Sequence, residues 1–383
     1  MNNFIFYNPV KILFGKEIIA KAGEEIPQGA KVLLTYGGGS IFKNDVYNQV
    51  KKSLKDFDVI EFGGIEPNPH YETLMKAVEI AKKEKVTFLL AVGGGSVIDG
   101  TKFIAAAVCF EGDPWDIPAK QATVDQAIPM GAVLTLPATG SEMNGNSVIT
   151  KSETKEKLAF FSVLVMPRFS ILDPEVIFSL PDRQVANGVV DAFVHVIEQY
   201  LTYPVDSPIQ DRFAEGIMLT LVEEGPKVLA NRTDYNAAAN FMWSATMALN
   251  GLIGTGVPQD WSTHGIGHEL TAFHGIDHGR TLAIVLPGIM RIFAEEKKAK
   301  IIQLGKRVFH IQGKTDHEKI DRTIAAVVNF FESTGVPTHL SDYGVGRETI
   351  DRICDRFEKR GYKLGERANI GPAEIRQVLE DRL

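Results

Sequence analysis

Hydrophobic positions follow two different patterns in the two halves of the chain. Before residue 180, short apolar runs alternate with stretches of helical periodicity. The run at 86–92 is apolar throughout, which is typical of a strand buried on both faces of a parallel sheet. After Leu180-Pro181 strand signals almost vanish and helical periodicity dominates. We therefore predict an α/β domain over 1–180 with a mainly parallel sheet, and an all-α domain over 181–383.

The same pattern predicts individual elements. The predicted strands are Phe4–Tyr7, Lys31–Tyr36, Asp58–Phe62, Val86–Val92 and Gly131–Leu136. The predicted helices are Asn44–Lys55, Pro69–Lys85, one from about Val97, Asp182–Leu201, Ile209–Leu229, Tyr235–Leu252 and Ile320–Thr334, with shorter ones at Ile350–Lys359 and Pro372–Leu383.

Composition narrows the class of protein. A chain of 383 residues is long enough for two domains, and its net charge of −7 disfavours nucleic acid and acidic membranes as partners. Its two cysteines are too few for a disulfide framework or a zinc–thiolate site. No apolar run approaches the roughly 20 residues of a membrane helix. Since the N-terminal residues also lack the pattern of a signal peptide, we expect a reducing cytoplasm.

Four of the nine histidines lie within 264–278, in the stretch HGIGHELTAFHGIDHG. His264 and His268 are spaced i, i+4 and would share one face of a helix. Gly275 predicts the end of that helix, and His278 would follow on the turn beyond. Neutral imidazole is the commonest metal ligand in proteins, so these histidines are candidate ligands that would need a further ligand from elsewhere in the chain.

That ligand is available in GVVDAFVHVIEQYL, where Asp191 and His195 are also spaced i, i+4. The segment has almost no polar face, which indicates a buried helix, and a buried carboxylate is costly without a cation or hydrogen-bond donors. Asp191 and His195 alone would more often form a hydrogen-bonded core pair than a metal site, and a histidine-rich stretch alone is as often a solvated surface as a set of ligands. Together they favour a metal site with oxygen and nitrogen ligands.

Two glycine-rich turns predict an anion site. Gly37-Gly38-Gly39-Ser40 and Gly93-Gly94-Gly95-Ser96 each follow a predicted strand, where open sheets bind ligands and a helix N-terminus attracts phosphate. Glycines also serve tight turns, and neither stretch is a G-x-G-x-x-G fingerprint. Asp99 would cap the following helix or bind a cofactor sugar. The first turn has no acid to repel a 2′-phosphate, so it favours NADP(H) if it meets the adenosine ribose.

These segments carry a resemblance that runs nearly end to end. The sequence resembles the iron-containing (group III) alcohol dehydrogenase family, in its butanol dehydrogenase and NADPH-dependent aldehyde reductase branch. The matching motifs are FGGIEPNP at 62–69, FLLAVGGGSVIDGTK at 88–102, LTLPATGSE at 134–142, NGVVDAFVHVIEQY at 187–200 and GVPQDWSTHGIGHELTAFHGIDHG at 256–279. The resemblance implies a dehydroquinate synthase-like architecture, with an N-terminal nucleotide-binding α/β domain, a C-terminal helical domain, a cleft between them, and homodimers.

The resemblance also implies roles for individual residues. The metal ligands fall on Asp191, His195, His264 and His278, and His268 becomes a possible proton carrier. With the first turn (Gly37, Gly38, Gly39 and Ser40) predicted above, the expected cofactor contacts are completed by Asn68, Gly93, Gly94, Gly95, Ser96, Asp99, Thr135, Thr139, Asn144 and Lys157. Without the resemblance, Lys157 would pass for a surface lysine.

The expected activity is hydride transfer between NADP(H) and short-chain aldehydes or alcohols, with the metal polarising the carbonyl oxygen. Three imidazoles and a carboxylate suit Fe(II) or Zn(II), among other divalent ions. A dehydroquinate synthase-like lyase or a polyol (glycerol-type) enzyme on the same fold is the main alternative. A non-catalytic module that binds metal and nucleotide is another.

Overall fold

The computed structural model describes residues 1–383. All of its strands lie before residue 173, interspersed with helices, and every element after that residue is helical. The strands are β1 (Lys11–Phe14), β2 (Lys31–Tyr36), β3 (Asp58–Phe62), β4 (Phe88–Gly94), β5 (Met130–Leu136), β6 (Asn146–Lys151), β7 (Glu156–Phe161) and β8 (Phe169–Leu172). The helices are α1 (Val46–Ser53), α2 (Tyr71–Glu84), α3 (Gly95–Cys109), α4 (Asp116–Ala119), α5 (Asp182–Tyr200), α6 (Pro208–Ala230), α7 (Tyr235–Ala248), α8 (Ser262–His274), α9 (His278–Ile292), α10 (Ala294–Arg307), α11 (Asp316–Ser333), α12 (Arg347–Arg360) and α13 (Pro372–Glu380).

One compact unit, residues 7–181 and 232–246, contains every strand. Six strands form a parallel sheet in the order β1-β8-β5-β4-β2-β3. The central strands β2, β4 and β5 are buried along nearly their whole length, because their continuous apolar runs suit a sheet covered on both faces. Tyr36 pairs with Val92, so the first and second glycine-rich turns leave neighbouring strands at the same edge of the sheet.

The strands at 31–36, 58–62 and 131–136 were predicted within one residue, but the strand at Phe4–Tyr7 was wrong. No strand or helix precedes Lys11, and Ile5 is 96% exposed. The apolar segment at 4–7 therefore does not pair with the sheet. The sequence pattern also missed the antiparallel β6–β7 hairpin and the four-residue strand β8.

A second compact unit contains residues 1–6, 182–231 and 247–383 and is helical. Its α5 is buried almost continuously from Val185 to Tyr200, as the near absence of a polar face predicts. Two of its helices, α9 and α10, were not predicted. None of the helices combines the length and apolarity that a membrane crossing requires.

The predicted fold class, an α/β part with a parallel sheet followed by a helical part, is confirmed. The compact units differ from the predicted domains 1–180 and 181–383 in two segments. Residues 1–6 belong with the helical unit, and residues 232–246, which carry most of α7, belong with the sheet. The assignment of cofactor binding to 1–180 and of metal binding to 181–383 stays a prediction.

Candidate metal and cofactor sites

Helix α5 supplies two of the four predicted metal ligands from one face. Asp191 and His195 are both buried, and His195 Nδ1 lies 3.6 Å from Asp191 Oδ1. Their neighbours Val190, Val194 and Val196 are buried too, so the carboxylate lies in an apolar helix. Such a carboxylate needs an opposite charge or several donors to stay ionised.

Two consecutive helices bring the remaining histidines to α5. Gly275 ends α8 with a left-handed φ of 66°, as predicted, and α9 begins at His278. Asp277, directly before His278, accepts hydrogen bonds from Arg183 Nε at 2.6 Å and from Asn187 Nδ2 at 2.7 Å, both on α5. A side chain on Gly279 would lie 2.4 Å from the backbone oxygen of Asn187. Only glycine therefore lets α9 begin this close to the helix that carries Asp191.

The three histidine side chains converge on one oxygen of Asp191. His264 Nε2 lies 3.8 Å from Asp191 Oδ1, and His278 Nε2 lies 3.7 Å from it. The ligand atoms of Asp191, His195 and His264 all lie within 4.8 Å of one another. Tetrahedral ligands at about 2.1 Å from a zinc ion are about 3.4 Å apart, so a small inward movement of these groups would enclose a divalent ion.

The chemistry of the buried nitrogens fits a cation. Neither His195 Nδ1 nor His264 Nε2 has a hydrogen-bond partner, although both atoms are buried. Burial lowers the pKa of His195 to about 4, so its imidazole is neutral and offers a lone pair near neutral pH. Burial lowers the pKa of His264, but the carboxylates of Glu198 and Asp191 outweigh this effect and raise it to about 9. The site thus attracts positive charge, whether a proton or a metal ion.

The other two histidines of the cluster have different surroundings. The His268 ring, on α8, is centred 6.3 Å from His264 and 5.2 Å from His278. It therefore borders the candidate metal ligands, and its role as a proton carrier stays a prediction. His274 is exposed at the end of α8, and its Nε2 lies 2.8 Å from Thr349 Oγ1.

The second glycine-rich turn connects β4 directly to α3. Gly93 and Gly94 end the strand, and Gly95 is the first residue of the helix. A side chain on Gly95 would meet Thr139 Oγ1 at 2.3 Å, so glycine is required for the helix to begin against the 137–140 loop. Free amides at the start of a 15-residue helix fit the predicted phosphate site.

The first glycine-rich turn does not lead directly into a regular helix. Gly39 has a left-handed φ of 95° and opens a single 3₁₀ turn at Ser40–Phe42, and α1 begins only at Val46. The positive φ turns the chain away before a regular helix can form. Gly38 has open space around it, since a Cβ there would have no neighbour within 4 Å.

Several predicted cofactor residues contact one another at this edge of the sheet. Asn68 donates its backbone N–H to Ser96 Oγ at 3.2 Å and accepts from Lys157 Nζ at 2.9 Å. Lys157 lies on β7, so the unpredicted hairpin places this lysine beside the second glycine-rich turn. Thr135 is a buried residue of β5, and Thr139 Oγ1 accepts from the N–H of Ser141 at 3.2 Å.

Asp99 takes part in a buried polar network and does not cap α3. Its carboxylate accepts from Ser141 Oγ at 2.5 Å and from the N–H of Val148 at 3.0 Å. Lys102, one turn further along α3, donates to Ser141 Oγ at 2.8 Å, to Asn144 Oδ1 at 3.0 Å and to the backbone oxygen of Asn146 at 2.8 Å. Burial lowers the pKa of Lys102 to about 8, although Asp99 and Glu142 act in the opposite direction. This ammonium joins α3 to the loop that carries Asn144.

We expect Lys102→Met to destabilise the protein by about 3–5 kcal/mol, because it removes the cation from the carboxylates of buried Glu142 and half-buried Asp99 and breaks three hydrogen bonds. Urea unfolding of the full-length protein, monitored by circular dichroism, would measure the change in the free energy of unfolding. Lys82→Met on exposed α2 surface is the matched control and should change stability by less than about 0.5 kcal/mol. Equal stability of the two variants would contradict a structural role for this network.

The sequence of the chain matches the models of a known family. The model of the iron-containing alcohol dehydrogenases matches residues 9–174, and the C-terminal model of the Fe-containing alcohol dehydrogenase family matches residues 185–382. The chain therefore belongs to the iron-containing alcohol dehydrogenase family, and the resemblance predicted from its motifs is confirmed.

Individual relatives extend this likeness over the full length. The chain is 57% identical to NADPH-dependent aldehyde reductase YqhD of Escherichia coli over 384 residues, covering 99% of each protein. It is 42% identical to probable NADH-dependent butanol dehydrogenase 1 of Bacillus subtilis over 388 residues, covering 100% of both. The crystal structure of YqhD superimposes with a TM-score of 0.98 at 56% identity, covering 100% of this chain and 99% of that one.

Two charged residues of these sites escaped the sequence reasoning. Glu198 lies on α5 in the same apolar segment as Asp191, so the rule that a buried carboxylate needs a partner applied to it equally. Lys102 lies six positions after Ser96, the last residue of the second glycine-rich turn, in a largely apolar helix. A lysine in such surroundings is a signal of a buried ion pair. The functional roles of the predicted metal, cofactor and proton-carrying residues stay predictions.

Proposed function

We propose that this protein is a metal-dependent NADPH aldehyde reductase that acts on short-chain aldehydes and, in reverse, on the corresponding alcohols. The observation that carries the proposal is the convergence of buried Asp191, His195 and His264 with half-buried His278. No hydrogen bond occupies His195 Nδ1 or His264 Nε2. The 57% identity to a protein named as an NADPH-dependent aldehyde reductase supports the reaction and its direction.

In this proposal the four side chains hold one Fe²⁺ or Zn²⁺ ion. When bound, the ion supplies Lewis-acid polarisation of a carbonyl oxygen, and NADPH supplies the hydride. The protein's own residues contribute position and proton supply. Helix α5 and the start of α9, joined through Asp277, fix the ligands before the substrate arrives. His268, beside His264 and His278, carries the proton that the alcohol product requires.

Cofactor choice rests on the first glycine-rich turn. Family membership does not decide it, because one full-length relative is named for NADPH and another for NADH. Gly37 to Ser40 contain no acid, and the space at Gly38 is open, so a 2′-phosphate would meet neither repulsion nor a collision there. We therefore propose NADP(H) as the preferred cofactor.

The proposal predicts steady oxidation of NADPH in the presence of butyraldehyde, with kcat/KM at least about tenfold lower for NADH. Absorbance of the reduced nicotinamide, followed over many turnovers, would measure both. Failure to consume NADPH while a phosphorylated sugar acid is turned over would favour the dehydroquinate synthase-like alternative, since such a lyase regenerates its cofactor in each cycle. A tenfold preference for NADH would show that the first-turn argument is wrong. The homodimer and the cytoplasmic location expected from the sequence stay predictions.

A further inference from the structure

Glu198 is a buried carboxylate next to the metal centre that is not one of its predicted ligands. It lies on α5 one turn after His195, and only 2% of its surface is exposed. The nearby ammonium of Lys297 pairs with Asp260 and Glu366. Glu198 must therefore be stabilised by other groups.

One of its oxygens holds the start of the neighbouring helix. Glu198 Oε1 accepts from the N–H of Thr263 at 2.5 Å and from the N–H of His264 at 3.3 Å, in the first turn of α8. Asp260, two residues before Ser262, accepts only from the first N–H of the helix, that of Ser262, at 2.8 Å. Glu198 thus supplies from α5 the acceptor for the next two N–H groups of the α8 N-terminus.

The other oxygen binds the ring of a predicted ligand. Glu198 Oε2 is hydrogen-bonded to His264 Nδ1. Because an ionised carboxylate can only accept, Nδ1 must carry the hydrogen. In the neutral imidazole the lone pair is then on Nε2, the atom that lies 3.8 Å from Asp191 Oδ1 and has no hydrogen-bond partner. The contact therefore selects the tautomer that can bind a metal ion and fixes the orientation of the ring.

We propose that Glu198 is a positioning residue of the metal centre, holding both the backbone and the imidazole of His264 in the metal-binding arrangement. This inference rests on the metal centre proposed above and adds a residue to it. The charge balance of the metal centre also supports this role of Glu198. A divalent ion with Asp191 as its only anionic ligand leaves one positive charge in a buried site, and the carboxylate of Glu198 neutralises that charge.

Glu198→Gln tests the inference with little change of shape. The glutamine oxygen can still accept from the N–H groups of Thr263 and His264, so the cap on α8 is kept. Its amide nitrogen would donate to Nδ1 and move the imidazole hydrogen to Nε2, where it would face the metal. We expect the affinity of the metal-free protein for Zn²⁺, measured by competition with a chromogenic chelator, to fall roughly 10- to 100-fold. The melting temperature of the metal-free protein should change little.

A second variant and a matched control separate positioning from general stability. Glu198→Asp keeps the charge but is shorter, so it should bind Zn²⁺ less tightly than the wild type and more tightly than Glu198→Gln. The visible absorption of bound Co²⁺ should change in the same order. Glu215→Gln also removes a buried carboxylate from the helical unit, but its partners are Tyr200, Gln303 and Arg307. That control should bind Zn²⁺ as the wild type does.

The outcomes are distinct. Wild-type Zn²⁺ affinity in Glu198→Gln would overturn the role of Glu198 and leave the metal centre standing. A wild-type protein that bound no divalent ion would instead overturn the proposed function. If Glu198→Gln did not fold, Glu198→Asp would decide, since unchanged Zn²⁺ affinity in that variant would contradict the inference and a several-fold loss would support it.

Discussion

Asp191→Asn is expected to lower aldehyde reduction by about a thousandfold or more while the protein stays folded and still binds NADPH. Asp191 Oδ1 is the oxygen on which His195, His264 and His278 converge, and it is the one anionic group among the four predicted ligands. Losing the ion removes several kcal/mol of transition-state stabilisation, and about 4 kcal/mol corresponds to a factor near a thousand. Turnover at saturating NADPH and aldehyde, together with elemental analysis of the purified variant, would measure both effects.

Metal removal should reproduce the effect of this substitution without changing the sequence. Protein treated with a chelator should lose activity and regain it when either Fe²⁺ or Zn²⁺ is added alone, and the more effective ion identifies the metal that the site uses best. Asp182→Asn, an exposed change in the first turn of the same helix, is the control and should retain activity and metal. Full activity in the chelated protein would exclude the proposed mechanism.

Three of the elements that the sequence predicted are buried along nearly their whole length. The strands at 31–36 and 131–136 and the helix α5 were predicted correctly because a continuous apolar segment is stable only in the protein interior. The β6–β7 hairpin was missed because its facing ends, Lys151 and Glu156, are polar and only half-buried. Its pairing depends on partners that local periodicity does not describe.

The same distinction applies to the candidate sites. Asp191 and His195 could be predicted as site residues because polar groups on an apolar helix face require a partner. The structure places both of them close to His264. Glu198 and Lys102 met that criterion too, but their partners lie 65 and 39 or more positions away along the chain. The N–H groups of Thr263 and His264 at the start of α8 find their acceptor on another helix, which no local pattern in the sequence predicts.

Gly38→Asp is expected to lower kcat/KM for NADPH about 10- to 100-fold and to leave kcat/KM for NADH equal or higher. The position tolerates a side chain, since a Cβ there would touch nothing within 4 Å, whereas the adjacent Gly39 requires its left-handed φ of 95°. A carboxylate at this turn would repel a 2′-phosphate by roughly 1–3 kcal/mol and would accept a hydrogen bond from the 2′-hydroxyl of NADH. Steady-state kinetics with both cofactors and one aldehyde would give the ratio.

Gly38→Asn separates charge from bulk, because asparagine has nearly the same shape as aspartate and no charge. If the 2′-phosphate lies at this turn, the asparagine variant should keep its preference for NADPH within a few-fold, and only aspartate should reverse it. An equal loss of NADPH activity in both variants would mean that a side chain of either kind obstructs the cofactor. If neither variant changed the ratio, the adenosine ribose would bind away from Gly37 to Ser40, and the selection of NADP(H) would have to come from other residues.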